Sequence, residues 1–182
     1  MIATPRLSLE QLTLSHADLL FPGLSDPALY TFIPADPPSS LDEKREHFAR
    51  ILRGPRDNDE ELWLNWAARV SATGEYIGYI ETSTFPGDYA HLAYFIFAGA
   101  QRKGYAREAC EHVIRHVERA HRIRLVVAEM DTRNVASWRL AESLGFARVG
   151  EKRDADFFKG ETSHEYRYEL NVTRLIQASR GT

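Results

Sequence analysis

A dense apolar run, Leu92-Ala93-Tyr94-Phe95-Ile96-Phe97, leads into Gln101-Arg102-Lys103-Gly104-Tyr105-Ala106. A strongly amphipathic segment follows at once. Strand, basic glycine loop and helix in that order commit this part of the chain to a helix packed back on a sheet. They also build an anion site. The first backbone N–H groups of a helix lack intrahelical partners, and the macrodipole adds partial positive charge there. A phosphate can dock on such amides, and Gly104 lets it approach closely.

The chain has 182 residues, and we expect one domain over 1–182 with a core of its own. It is 43% hydrophobic and 27% charged, with a net charge of −3. That balance argues against broad neutralisation of nucleic-acid phosphates and leaves room for a small basic site. The single cysteine, Cys110, falls on the apolar side of a helix and is expected to be a buried thiol. The seven histidines show no metal-ligand spacing. His112 and His116, at i and i+4, lie on a charged helix face without a third ligand nearby. MIATPRLSLE has no secretory apolar core, and no segment reaches ~18 uninterrupted apolar residues. The expectation is a cytoplasmic protein with no metal, membrane or nucleic-acid partner; a homodimer is left open.

Along the chain, Arg6 to Leu12 predicts a first strand. Ser15 to Asp18 and Ser40 to Glu43 have the form of capping boxes, and Asp26-Pro27 is a third helix start. From Leu62 the period becomes two, with Leu62, Leu64, Trp66, Ala68 and Val70 on one face. Turns at Ser71–Glu75 and Pro86–Asp88 then give three meandering antiparallel strands. After the glycine loop, Ala106, Ala109, Cys110, Val113, Ile114 and Val117 form the apolar stripe of a helix. Ile123 to Met130 predicts a central strand. Asn134 to Leu144 predicts a helix closed by Gly145, and Phe146–Val149 and His164–Leu170 a last antiparallel pair. The fold class is α+β (mixed α/β), in the order β-α-α-β-β-β-α-β-α-β-β.

This order, with Gln101, Gly104 and Ala106 between strand and helix, resembles the GNAT superfamily of N-acetyltransferases and its Gln/Arg-x-x-Gly-x-Gly/Ala loop. A second match is Asn134-Val135-Ala136-Ser137 running to Leu144-Gly145-Phe146. The Asn-x-x-Ser form and the opening Thr4-Pro5-Arg6-Leu7 are similar to the branch containing the ribosomal-protein N-terminal acetyltransferases. The resemblance spans roughly residues 4–170. It implies an acyl-CoA N-acyltransferase-like fold with a mixed sheet of about seven strands flanked by helices. It also implies transfer of an acetyl group from acetyl-CoA, as co-substrate, to a primary amine, by direct attack in a ternary complex. One departure stands out. Many members carry Tyr four residues before the Leu-Gly-Phe glycine to protonate the leaving thiolate, and here that position is Ala141.

The resemblance places the pyrophosphate on the amides of Arg102, Lys103, Gly104, Tyr105 and Ala106. Gln101 either bonds phosphate or caps the loop, and the Arg102 and Lys103 side chains either add charge or are solvated. The pantetheine arm would run beside a splayed strand, along the backbone of Phe95, Ile96, Phe97 and Ala98. An N–H near Ile96 or Phe97 would face the developing oxyanion, an effect worth about 3 kcal/mol per donor. A thiolate with a pKa near ~8.5 leaves readily. Ser137 therefore either gives a hydrogen bond to sulfur, directly or through a water it holds, or bonds backbone only, while Asn134 caps its helix and is placed to reach the pantetheine or a water. Glu81 is the leading candidate base, or else an ion-paired strand residue; Glu129 and His91 come second. Tyr30, Phe32 and Trp63 are candidates for the acceptor groove or for the core. The alternative is a catalytically degenerate acyl-CoA sensor or structural subunit. A third reading, a P-loop nucleotide site, is weak because the loop lacks the G-x-x-x-x-G-K-[ST] spacing.

Overall fold

Period-two alternation puts Trp66, Ala68 and Val70 on one face of a strand and Asn65 and Ala67 on the other. In the structure, a computed structural model describing residues 1–55 and 61–172, this strand begins the expected meander. β3 (Leu62–Val70), β4 (Tyr76–Phe85) and β5 (Tyr89–Ile96) pair antiparallel in sequence. β2 (Leu7–Gln11) lies against β3, and the two-residue β1 (Ile2–Ala3) pairs with β2. β6 (Leu125–Asp131) runs parallel to β5. β8 (Glu161–Asn171) inserts beside β6 and leaves β7 (Ala147–Phe158) on the outer edge. The sheet has eight strands in the order β1-β2-β3-β4-β5-β6-β8-β7, so β1 is one more than expected. The last two strands are also longer than their apolar pattern indicated.

Helices cover both faces of the meander. α1 (His16–Leu24) and α2 (Leu41–Arg53) bury Ala17, Leu20, Leu24 and Phe48 against Leu12, Ala67 and Tyr79. α3 (Tyr105–His121) and α4 (Val135–Ser143) cover the other face. There Cys110, Val113, Ile114 and Val117 pack on Leu9, Trp66, Ile80 and Ile96. Cys110 is fully buried, as its place on the stripe required. Among the described residues no helix is long and apolar enough to cross a membrane.

The helix starts differ in detail from their sequence signals. Ser40 Oγ accepts the Glu43 N–H at 3.1 Å, but Glu43 reaches back to the N–H and hydroxyl of Ser39 rather than to Ser40. The Ser15 box does not form. Ser15 is itself in helical conformation, and His16 Nδ1 takes the Thr13 N–H at 2.9 Å. Asp26 caps only a 3₁₀ turn, Pro27–Tyr30.

One irregularity positions the site. The parallel β5–β6 ladder runs only from Tyr89–Leu125 to His91–Val127. Beyond His91, β5 stays with β4 as far as Ile96, while β6 stays with β8 as far as Asp131. Gly78 on β4 explains how β5 is held back. Its φ is +142°, and a Cβ there would lie 1.9 Å from the Phe95 carbonyl oxygen. Only glycine lets β5 approach β4 so closely at that point.

Candidate active site

The two diverging strands open a cleft of about 470 Å³ lined by Leu92 to Ile96, Ala128 to Asp131, the glycine loop and the start of α4. This is within the ordinary size of small-molecule sites. In antiparallel pairing, backbone groups point alternately toward and away from the partner strand. Phe97 N–H donates to Ile77 O at 2.8 Å, which fixes the phase. Ala93 and Phe95 therefore bond β4, whereas the Tyr94 and Ile96 groups face the gap. The Ile96 carbonyl is taken by Gln101 Nε2 at 2.9 Å. Gln101 thus caps the strand end. Of the two expected oxyanion donors, Phe97 is already bonded and Ile96 N–H points into the cleft.

The glycine loop reaches α3 through two left-handed residues, Arg102 at φ 62° and Gly104 at φ 80°. Gly104 is the N-cap, so the amides of Tyr105, Ala106 and Arg107 start the helix without intrahelical acceptors. The loop is clamped from the N-terminal segment. Arg6 Nη1 donates to Lys103 O at 2.9 Å, Arg6 Nε donates to Glu108 at 2.7 Å, and its guanidinium lies over the Tyr105 ring. Glu108 also accepts the Arg6 N–H and the Thr4 hydroxyl. Burial raises the Glu108 pKa, but these donors outweigh it and hold the carboxyl below its ordinary value. Gln101, Arg102, Gly104, Tyr105 and Ala106 line the cleft, while Lys103 and Ala98 do not. The Phe97 ring also lies outside, packed against Gly23 of α1.

On the opposite wall, the turn from β6 into α4 is organised by Asp131, a residue outside the set that the sequence predicts for the site. Asp131 accepts from the Arg133 N–H, Nε and Nη2 at 2.8, 2.9 and 2.7 Å, and from the Ser163 hydroxyl at 2.7 Å. The Asp131 carbonyl takes the Asn134 N–H. Asn134 Oδ1 in turn accepts the Ser137 N–H at 3.1 Å. An Asp two residues before the turn's amide is a recognisable Asx signal. Hydrogen bonds from Arg133 lower the Asp131 pKa from 3.8 to about 2. A depressed carboxyl stabilises the fold above its unfolded pKa, and that contribution is lost as pH falls through the folded value. Asp131→Asn should therefore cost roughly 2 kcal/mol at pH 7 and almost nothing near pH 2. Urea unfolding at both pH values checks this; an equal loss at both would refute it.

Ser137 itself receives the Tyr94 hydroxyl at 3.0 Å, and both side chains line the cleft. Tyr94 carries no signal of this in the sequence, where a tyrosine inside an apolar run has the look of core.

The other mouth of the cleft is bounded by Ala28, Leu29, Phe32 and Ile33, with Ala93 and Phe95 as floor. Phe32 lines this mouth. Tyr30 is buried behind it, its hydroxyl on Leu24 O and its ring on Phe95. Trp63 lies outside the lining and donates to Glu61. Glu81 is also outside the lining, one strand behind Ala93. Burial pushes its pKa up, opposed by the Tyr79 hydroxyl and the Lys44 ammonium, which sits over the Phe48 ring at 4.6 Å. Glu129 does line the cleft, 3.0 Å from Arg167 Nη1 and 3.8 Å from His91 Nδ1. At the β7–β8 tip, Lys159 Nζ bonds the carbonyls of Tyr30 and Ala35 and so ties that tip to the segment carrying Phe32 and Ile33, though Lys159 itself lies outside the lining. Among the described residues no cluster of His, Cys, Asp or Glu could hold a metal ion.

A sheet split between a parallel pair, with an amide-rich helix start at the split, is the architecture of an N-acetyltransferase. The chain belongs to the acetyltransferase (GNAT) domain family, which matches residues 6–147. It is 26% identical over 170 residues to an uncharacterised N-acetyltransferase, p20, of Bacillus licheniformis, spanning 92% of this chain and 93% of that one. Its fold is similar to RimL, a ribosomal L7/L12 α-N-protein acetyltransferase solved with coenzyme A (TM-score 0.82, 20% identity, 92% and 95% covered). It is also similar to spermidine N-acetyltransferase from Vibrio cholerae, solved with CoA and spermine (TM-score 0.80, 17% identity, 94% and 98% covered). At these identities the likeness is one of fold.

Proposed function

We propose that this chain transfers the acetyl group of acetyl-CoA to a primary amine, a protein N-terminal α-amine or a small-molecule amine, by direct attack in a ternary complex. The observation that supports it best is the joining of the split β5–β6 pair to the glycine loop. The cradle suits a diphosphate, with unpaired amides from Tyr105 to Arg107, a Cβ-free Gly104 and an Arg6 guanidinium beside it. The β5 edge at Tyr94 and Ile96 suits an arm that carries amides. When bound, acetyl-CoA supplies an activated acyl group whose thiolate leaves readily at neutral pH.

The chain's own groups do the rest. Ile96 N–H faces the carbonyl oxygen as charge develops on it. Ser137 gives a hydrogen bond to the departing sulfur, and Asn134 fixes the helix turn that holds Ser137. The proton of the attacking amine passes toward Glu129 directly or through water. Glu81, displaced from the cleft, sets the charge around Lys44. An α-amine with a pKa near ~8 is about a tenth free at pH 7, so a weak base suffices.

The mouth also bears on the acceptor. Its two carboxylates, Asp131 and Glu129, are each paired with an arginine, and the facing wall is apolar. This favours one amine on an apolar body, such as a peptide N-terminus, over a polyamine that needs a second free anion. The test is thiol release from acetyl-CoA against amines of both kinds, beside calorimetric binding of CoA. Release with monoamines or peptides is expected. Binding without release from any amine would support a degenerate acyl-CoA sensor instead.

A further inference from the structure

We propose that Tyr94 is a positioning residue for the thiol-leaving step: its hydroxyl, donated across the cleft to Ser137, aims the Ser137 proton at the departing sulfur. The proposal rests on the acetyltransferase reading above.

Ser137 sits in the first turn of α4, and a helical serine commonly turns its hydroxyl back on a carbonyl of the preceding turn. Ser143 in the same helix does this, donating to Leu140 O at 2.8 Å. Ser137 does not. Its N–H goes to Asn134 Oδ1, and its Oγ receives Tyr94 Oη–H from the opposite wall at 3.0 Å. A hydroxyl has one proton and two lone pairs. With Tyr94 as donor, the Ser137 proton cannot point back at Tyr94 and is left for a third partner in the cleft. The position where family members carry the acid is Ala141, buried and without a donor. Tyr94 therefore supplies from β5 an orienting contact that α4 lacks.

Burial raises the Tyr94 pKa well above that of an ordinary phenol. The phenol stays protonated throughout the working range and acts as a fixed donor. No proton leaves Tyr94 in the step. The C–S bond breaks, its electron pair stays on sulfur, and the thiolate accepts the Ser137 hydrogen bond until solvent protonates it.

The experiment compares Tyr94→Phe, Ser137→Ala and the double variant at saturating acetyl-CoA, with thermal melting to confirm the fold. Tyr94→Phe should lower kcat about five- to tenfold with the acetyl-CoA KM unchanged. In the Ser137→Ala background the same change should have no further effect, since the proton it aims is gone. The alkaline limb of the pH–rate profile should be the same in wild type and Tyr94→Phe. Additive losses, an unchanged kcat, or tighter CoA binding in Tyr94→Phe would overturn the proposal; the last would make the contact a latch that the donor must break. Loss of the alkaline limb in Tyr94→Phe would also overturn it, making Tyr94 itself the acid. A wild type that releases no thiol with any amine would remove the acetyltransferase reading as well. A wild type that turns over beside an unimpaired Tyr94→Phe removes this proposal alone.

Discussion

Gly104→Glu should weaken acetyl-CoA binding by at least about a hundredfold while the protein still folds. Three effects add at this residue. The backbone is left-handed at φ +80°, so any side chain there carries strain of roughly 1–2 kcal/mol. A Cβ would also approach Arg6 Nη2 at 3.2 Å, crowding the guanidinium that clamps the loop. The largest effect is charge. A carboxylate within about 4–5 Å of a diphosphate costs on the order of 3–4 kcal/mol per charge pair at an effective dielectric of ~20. Gly104→Ala isolates the first two effects and should lose less than about tenfold. Calorimetric titration with CoA measures both variants. Equal affinities for wild type and Gly104→Glu would mean that the diphosphate does not sit on this loop.

Gly78→Ala should be the most damaging single methyl in the described sheet. Its Cβ would meet Phe95 O at 1.9 Å, Phe95 C at 2.9 Å and Ile96 Cα at 3.0 Å. All three are backbone atoms, so no side chain can swing aside. Either β4 and β5 separate or the chain does not fold, and a loss of about 3–5 kcal/mol is expected. Gly54→Ala is the control. It also has positive φ, 75°, but nothing lies within 4 Å of the added atom. It should lose only about 1 kcal/mol. Urea denaturation of the pair separates clash from strain, and a Gly78→Ala protein within about 1 kcal/mol of wild type would show that β5 can yield.

What was legible in the sequence was local. The meander, the α3 stripe, the glycine start of α3, the Asn134 cap and the Gly145 stop each follow from spacing or from a residue's own conformational preference. What escaped was set by contacts between distant segments. The split of β5 from β6 is a loss of pairing beyond His91; the family resemblance implies a splayed strand here, but no residue type announces where the pairing stops. The Tyr94–Ser137 bond joins residues on different elements, as does the Arg6–Glu108 clamp. An aromatic side chain reads the same in sequence whether it meets the core or an open groove. Tyr30, Phe32 and Trp63 consequently looked alike, and only Phe32 reaches the cleft. β7 was expected to be short because Arg148 to Asp156 lacks an apolar period. It is held by backbone pairing to β8, with almost every side chain exposed. The Ser15 box does not form because Ser15 Oγ pairs with the Thr13 hydroxyl and Asp18 with the Arg45 guanidinium.

The Arg6 and Thr4 clamp makes residues 4–6 part of the proposed coenzyme cradle. Glu108, at the start of α3, is held by a hydroxyl, an amide and a guanidinium that all come from residues 4–6. An affinity tag or trimming at the amino end that disturbs those residues would therefore register as poorer coenzyme affinity, far from any residue that touches the acceptor. Engineering for a new amine should leave that end native and work on Phe32, Ile33 and the Lys159 hairpin tip.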